Sequence, residues 1–473
     1  MNKKIAVSYF TLMLTIFILT VFFPNEAKWI YKKNYLVDSF CLILCEILLL
    51  RRYLFFKLDI FEPIVTISFF YIMIYFITPI YDLVSKQYLW YGYDLYEYGT
   101  KSSFIALLGY LIFYFLYYSA RRKKINNIEN KKIKINNEYI LDSKQKVILF
   151  ILVMYIICFL ANVFYLIKSN GNSLVYILSL GMLGKGGTGS VLNAPIGFIS
   201  MLSYSLPTCT LLYWEFGESK LLKIILFIPM LLLQVVRGFR FFVIQIAITF
   251  FAYYYLKKKK RPTIKKIFFL GILLLIPILL MTLFRNNIRD GVGVNLSIVD
   301  INLIFKGFDA MFWENLRIYK NFYGMVAVIP EKFPYVYFRQ IIIGTMIMFI
   351  PRIIWPGKIS MYGGEGLATI IGSDIGSGQA YPNLGEFYYA FGVWGVIFFM
   401  GLYSLWMKNL KVKYMNINSS GLDIIVFSVL LGTNLQLIIR GYTPSNFWYI
   451  IFAILPVYIV RYLISRKVLK YEK

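Results

Sequence analysis

The sequence predicts an all-α polytopic membrane protein with about twelve transmembrane helices and one large outer loop. Three observations carry this reading. Of 473 residues, 59% are hydrophobic and only 15% are charged, whereas soluble globular chains carry about 25% charged residues. Aromatic residues make up 19%, and they concentrate at membrane interfaces and against sugar rings. Basic residues fall in short runs between long apolar segments, as in Arg121-Arg122-Lys123-Lys124 and from Lys257 to Arg261. The mean hydropathy of +0.66 excludes both an ordinary cytosolic enzyme and a disordered chain.

Taken in order, Asn2-Lys3-Lys4 precedes an apolar run from Ile5 to Phe23. That run is too long for a signal-peptide core and lacks a small-residue cleavage site, so it reads as the first span. Further apolar segments follow near 35–50, 61–81, 102–120, 147–167, 195–215, 221–236, 241–256, 266–284, 384–407, 422–439 and 445–460. With both termini in the cytoplasm, about 31 of the 50 Lys and Arg residues lie in inner segments. The others are spread over nearly twice that length outside, as the positive-inside rule expects. The chain thus divides into spans one to nine (1–284), an outer segment (285–383), and spans ten to twelve with a cytoplasmic tail (384–473). No internal repeat is visible, and the Lys- and Asn-rich stretch 121–146 reads as a solvated cytoplasmic linker.

An outer segment of nearly 100 residues is too long to be a plain connection. Within it, Phe305, Phe308, Phe312, Leu316, Tyr319 and Tyr323 recur at helical spacing, opposite a face of Lys306, Asp309, Trp313, Arg317 and Lys320. This pattern predicts an amphipathic helix on the outer membrane surface or capping the bundle. The run Ile341 to Ile354 is apolar but short and is broken by Pro351-Arg352, so it reads as re-entrant or interfacial.

The net charge of +27 does not point to nucleic acid, because the basic runs are topology signals facing anionic lipid. Cys41, Cys45, Cys158 and Cys209 all lie in apolar stretches, which predicts neither a disulfide framework nor a zinc site. The chain has no histidine, which removes His-based metal sites, Ser-His-Asp triads and histidine general bases. Gly181 to Gly189 is glycine-rich but lacks the Gly-Lys-Ser/Thr ending of a P-loop and falls outside, so it reads as an outer loop. Asp38 and Glu46 lie eight residues apart on one apolar segment; a proton relay is weighed there against pairing with a neighbouring helix, which is favoured. Asp309, Glu314, Glu365 and Asp374 read as solvated loop carboxylates.

The informative charges are arginines at outer helix ends. Arg237-Gly238-Phe239-Arg240 joins two spans, Arg285 and Arg289 follow the ninth, Arg352 sits in the re-entrant run, and Arg440-Gly441 begins the last outer turn. A guanidinium is permanently charged and presents a planar fork to phosphate. A set facing outward at headgroup depth therefore suits a lipid diphosphate, while each arginine singly could merely snorkel. A second constellation runs from Ile350 through Pro351, Arg352, Trp355, Pro356 and Lys358, then a Gly-rich stretch, to Asn383-Leu384-Gly385-Glu386-Phe387-Tyr388-Tyr389-Ala390-Phe391-Gly392-Val393-Trp394-Gly395. A carboxylate at a membrane entrance, such as Glu386, is costly unless paired or working.

Three of these motifs carry a resemblance: Pro351-Arg352-x-x-Trp355-Pro356-x-Lys358, the pattern Gly385-Glu386-x-Tyr388-x-x-Phe391-Gly392-x-x-Gly395, and the Arg237-Gly238-x-Arg240 turn. Together they resemble Wzy-type oligosaccharide repeat-unit polymerases, which make O-antigen and capsule in the bacterial cytoplasmic membrane. The resemblance implies a metal-independent, cofactor-free glycosyltransferase of the multi-spanning class, similar to the GT-C enzymes, with its active site on the outer face. The growing glycan would move from undecaprenyl diphosphate onto a new lipid-linked repeat unit. The implied partners are that lipid-linked oligosaccharide as donor and acceptor, the bilayer and a chain-length regulator, with no nucleic acid. On this reading Glu386 and Arg352 are the candidate catalytic residues. Arg237, Arg240, Arg285, Arg289, Lys358, Arg440 and Tyr388 would hold diphosphate and sugar, with Tyr388, Tyr389 and Trp394 as an aromatic wall. For Glu386 the residues leave two roles open, a base for the acceptor hydroxyl or a partner that orients an arginine. O-antigen ligases look similar but usually carry a loop histidine, which is missing here. A lipid-linked oligosaccharide flippase is the alternative, though flippases usually show repeat symmetry and no dominant outer loop. A membrane O-acyltransferase would need a histidine.

Overall fold

The computed structural model describes residues 29–56, 59–85, 87–90, 93–119, 137–169, 201–236, 240–263, 265–266, 269, 271, 316–348, 350, 354–355, 381–414 and 420–471. The first and ninth predicted spans, and the glycine-rich run at 181–189, lie outside these residues or nearly so.

Each of the other ten predicted apolar segments is helical over its described residues. They are α1 (Trp29–Phe56), α2 (Pro63–Ile72) continuing through a π-turn (Met73–Ile77) into α3 (Thr78–Val84), α4 (Leu95–Ser119) and α5 (Asn137–Ser169). Then come α6 (Leu206–Phe216) after a 3-10 turn (Met201–Ser205), α7 (Lys220–Val236) and α8 (Arg240–Lys257). The π-turn falls just before Thr78-Pro79, where proline offers no N–H to the ladder. In the outer segment, α9 (Tyr319–Val328) is followed by a π-turn (Arg339–Ile343) and the short α10 (Gly344–Met348). The chain closes with α11 (Asn383–Tyr414), α12 (Gly421–Ile439) and α13 (Thr443–Tyr471). A two-residue hairpin, β1 (Leu89–Trp90) with β2 (Tyr93–Asp94), sits between α3 and α4.

Six helices among the described residues are long and apolar enough to cross a membrane. Their outward faces fit that environment: Trp394, Phe398, Leu402 and Leu405 form one exposed stripe on α11. Leu149, Val153, Ile156, Leu160 and Phe164 form another on α5. Inside, α4 packs between α1 and α11, and α12 packs on α8, around Tyr71, Tyr75, Tyr110, Phe113 and Phe427. Several hydroxyls in this core find partners on neighbouring helices, which suits a hydrocarbon surrounding. Tyr71 donates to the Ala106 carbonyl at 2.6 Å, Ser404 to Phe113 at 2.7 Å and Ser205 to Phe452 at 2.7 Å. Asp38 is buried and takes the hydroxyl of Ser103 on α4, a pairing between helices. All four cysteines are buried and free.

Ion pairs gather at one end of the bundle. There Lys144 meets Glu218 at 2.5 Å, Lys257 meets Glu215 at 2.6 Å, Arg461 meets Asp423 at 2.5 Å, Arg261 meets Asp59 at 3.5 Å, and Lys411 meets Glu62. These are the ends that the charge count assigns to the cytoplasm. The opposite end carries the hairpin, α9 and α10. Of the amphipathic stretch, 305–315 lies outside the described residues, while Leu316, Tyr319 and Tyr323 are buried and α9 packs on α4 and α11. The helix therefore caps the bundle. Its charged residues Arg317 and Lys320 are not a solvent face, because both reach Asp82 at the end of α3. The apolar run Arg339–Met348 has ten residues, about 15 Å of helix and half a hydrocarbon core. It lies against α13, where the Trp448 indole N–H donates to the Thr345 carbonyl at 2.8 Å.

Candidate active site

The start of α11, the end of α12 and the start of α13 meet at a junction built from the Glu386 motif and the Arg440 turn. α12 ends at Arg440, whose N–H donates to the Gln436 carbonyl at 2.8 Å. The next N–H, from Gly441, donates to the Tyr381 carbonyl at 2.7 Å. A Cβ on Gly441 would lie 2.4 Å from the Asn383 Cα, so only glycine lets the two backbones approach this closely. Asn446 donates to the Arg440 carbonyl at 2.5 Å and accepts from Gln436 at 3.1 Å, which fixes the turn from its far side.

Glu386 locks the same junction from below. It is 1% exposed, and the Thr443 N–H donates to both carboxylate oxygens at 3.0 and 2.9 Å, while the Thr443 hydroxyl donates at 2.6 Å. α13 has no acidic residue in its own first turn. Glu386 supplies acceptor oxygens from another helix, at the end where free N–H groups need partners. The hydrogen bonds observed for Glu386 are those of an anchoring carboxylate, and its partner is a helix N-terminus three residues beyond Arg440. Burial and the neighbouring Glu386 charge push the Tyr381 phenol well above its usual range. This phenol remains a neutral acceptor for the Gln340 amide.

The Gly-Glu-x-Tyr-x-x-Phe-Gly-x-x-Gly pattern encodes a break in α11. Phe391 (φ −145, ψ 22) and Gly392 (φ 61, ψ −142) leave the helical region. The carbonyls of Tyr389 and Ala390 instead take the N–H groups of Val336 and Tyr337, each at 3.0 Å. Gly392 is required twice over, because its φ is left-handed and a Cβ would lie 2.7 Å from the Tyr335 hydroxyl. The Phe391 ring closes the joint against Phe338 at 4.7 Å and Tyr337 at 5.4 Å. The break therefore docks the outer segment onto the span that carries Glu386.

Tyr388 is 2% exposed, donates to the Ile329 carbonyl at 3.3 Å and packs near Phe322 and Tyr335. Its side chain is engaged in this packing, and Trp394, 77% exposed, lies on the exposed apolar stripe of α11. Of the candidate cations, Arg440 stands at the junction with Glu386. Arg240 opens α8, with its side chain outside the described residues. Arg237, Arg285, Arg289, Arg352 and Lys358 lie outside the described residues, as do Asp309, Glu314, Glu365 and Asp374. Sequence reasoning missed Thr443, although Thr-Pro opening a helix without an acidic first turn hints at a cap supplied from elsewhere. It also missed Asp82, a carboxylate at the C-terminal end of an apolar run. Among the described residues, no three Cys, Asp or Glu side chains are grouped to hold a metal ion.

A family model described as O-antigen polysaccharide polymerase Wzy matches residues 5–468. No curated protein and no solved structure matches the chain.

Proposed function

Because the chain belongs to the O-antigen polysaccharide polymerase (Wzy) family over nearly its whole length, we propose that it polymerises lipid-linked repeat units on the outer face of the bacterial cytoplasmic membrane. In this proposal twelve spans place both termini inside and residues 285–383 outside, in an architecture similar to the GT-C glycosyltransferases. The donor is the growing glycan on undecaprenyl diphosphate, and the acceptor is the non-reducing end of a new lipid-linked unit.

In the step itself, an acceptor hydroxyl oxygen attacks the donor's anomeric carbon as the bond from that carbon to the diphosphate oxygen breaks. The electron pair leaves with undecaprenyl diphosphate, which gains negative charge. Guanidinium groups placed where that charge develops lower the barrier without a metal ion. Arg440 is the described member of this set; Arg237, Arg240, Arg285, Arg289, Arg352 and Lys358 complete the proposal, with Arg352 as the candidate catalytic arginine. Glu386 enters as the positioning residue that holds the Arg440 turn. With its carboxylate buried and engaged by Thr443, the acceptor proton passes to the departing diphosphate. The observation that carries this reading is the Glu386–Thr443 lock, which joins the Gly-Glu motif to an outer arginine turn at 2.6 to 3.0 Å. A deletion strain tests it. Loss of a polymerase leaves a single repeat unit on the surface, restored to long chains by the wild-type gene, whereas absence of any surface glycan contradicts the proposal.

A further inference from the structure

Asp82 ends the α2–α3 span with a completely buried side chain. Three donors from the outer segment converge on it: Arg317 Nε at 2.9 Å, the Tyr319 hydroxyl at 3.0 Å and Lys320 Nζ at 3.2 Å. One carboxylate therefore faces two cations. Lys320 also donates to the Gln87 carbonyl, and Arg317 lies 6.0 Å from the Tyr81 ring. The Arg317 and Lys320 side chains are only 20% and 14% exposed, so water screens the surplus charge poorly.

A second mismatch accompanies the first. Arg317 Nη2 is buried and has no hydrogen-bond partner, and an unmatched charged donor is among the more costly groups to bury. A tether between α9 and α3 needs one cation and a satisfied guanidinium, and this cluster has an extra cation and a free donor. Both features call for one more anion.

We propose that Arg317 and Lys320, braced by Asp82, form a subsite for a phosphate-type anion, the diphosphate of a lipid-linked substrate. This rests on the polymerase reading, in which donor and acceptor each bring a diphosphate to the same face. One held at the Arg440 turn leaves a second to be held elsewhere. The cluster stands at the same end as the Glu386 junction: Tyr75 donates to Asn383 at 3.1 Å, and Asp82 lies seven residues further along that helical run, about 10 Å of rise.

The test uses the full chain in phosphatidylcholine nanodiscs, titrated with inorganic pyrophosphate by calorimetry in an Arg440→Lys background, which weakens the junction site so that the change caused by each substitution at Arg317 or Lys320 reads this subsite. Arg317→Lys keeps the charge but loses the fork, and it should weaken pyrophosphate binding at least tenfold, as should Lys320→Gln. Asp82→Asn removes the competing carboxylate and should tighten binding several-fold while lowering thermal stability. If that variant fails to fold, the two cation variants decide alone. No binding, or an affinity indifferent to both cation substitutions, overturns the subsite and leaves the polymerase reading intact. Absence of polymerisation by the wild type overturns that reading instead, with pyrophosphate binding unaffected. Repeating the titration in phosphatidylglycerol nanodiscs separates the sources of the anion. Pyrophosphate binding that persists supports the diphosphate assignment, and its disappearance gives the pair to a phospholipid headgroup and overturns it.

Discussion

Removing the Glu386 carboxylate strands two partly buried donors of Thr443, which costs about 1–3 kcal/mol. Glu386→Ala should therefore lower thermal stability by that order and abolish long chains. Glu386→Gln keeps one acceptor oxygen for Thr443 and should retain part of the activity, as should Thr443→Val. The double variant Glu386→Gln/Thr443→Val should be little worse than the poorer single variant, because both act through one lock. Thermal melts and polymer length on gels check these outcomes. Equal inactivity of Gln and Ala at normal protein levels, with Thr443→Val normal, would return Glu386 to proton transfer. Arg440→Lys keeps charge and loses the fork, so turnover should fall by at least about tenfold at unchanged protein level. The sequence singles out Glu386 because a carboxylate at a membrane entrance is expensive. Its partner is invisible there, since Thr443 lies 57 residues away and nothing local announces contact across helices.

The broken α11 is where element-scale reading stops short. Apolar spacing over 384–407 reads as one continuous helix, because a two-residue break hardly disturbs a pattern counted every three or four positions. The signal lay in Phe391-Gly392, whose backbone leaves the helix so that Val336 and Tyr337 can dock. Gly392→Ala should cost about 1–3 kcal/mol for the positive-φ, extended-ψ backbone alone, and more for the contact with Tyr335. Combining it with Tyr335→Phe, which removes the nearest atom, should recover part of the lost stability. If Gly392→Ala melts and polymerises like the wild type, the break is not required. The capping helix shows the complementary limit. Periodicity gives α9 a polar face, but only the packed structure supplies its partner, Asp82.

Across the whole molecule, hydropathy located every described span to within a few residues of its core, because a hydrocarbon slab imposes length and composition on each helix. Charge runs assign one set of helix ends to the cytoplasm; five ion pairs lie at that end, and the Asp82 pairs with Arg317 and Lys320 lie at the other. The orientation is open to labelling. The four native cysteines are buried, so an impermeant maleimide should have low background in intact spheroplasts. Glu331→Cys should label and Ser420→Cys should not; the reverse pattern inverts the topology. What sequence could not supply was the meeting of α11, α12 and α13, since contacts between segments far apart in the chain leave no periodic trace. The central claim is that the junction of Glu386 and Arg440 carries out glycan polymerisation, and its most direct measurement is a reconstitution. Purified wild-type protein in nanodiscs, given only lipid-linked repeat units, should release undecaprenyl diphosphate and build a ladder of longer glycans, while Arg440→Lys should release almost none. A wild-type protein that leaves the repeat units single, or an Arg440→Lys protein that builds the same ladder at the same rate, would contradict the account.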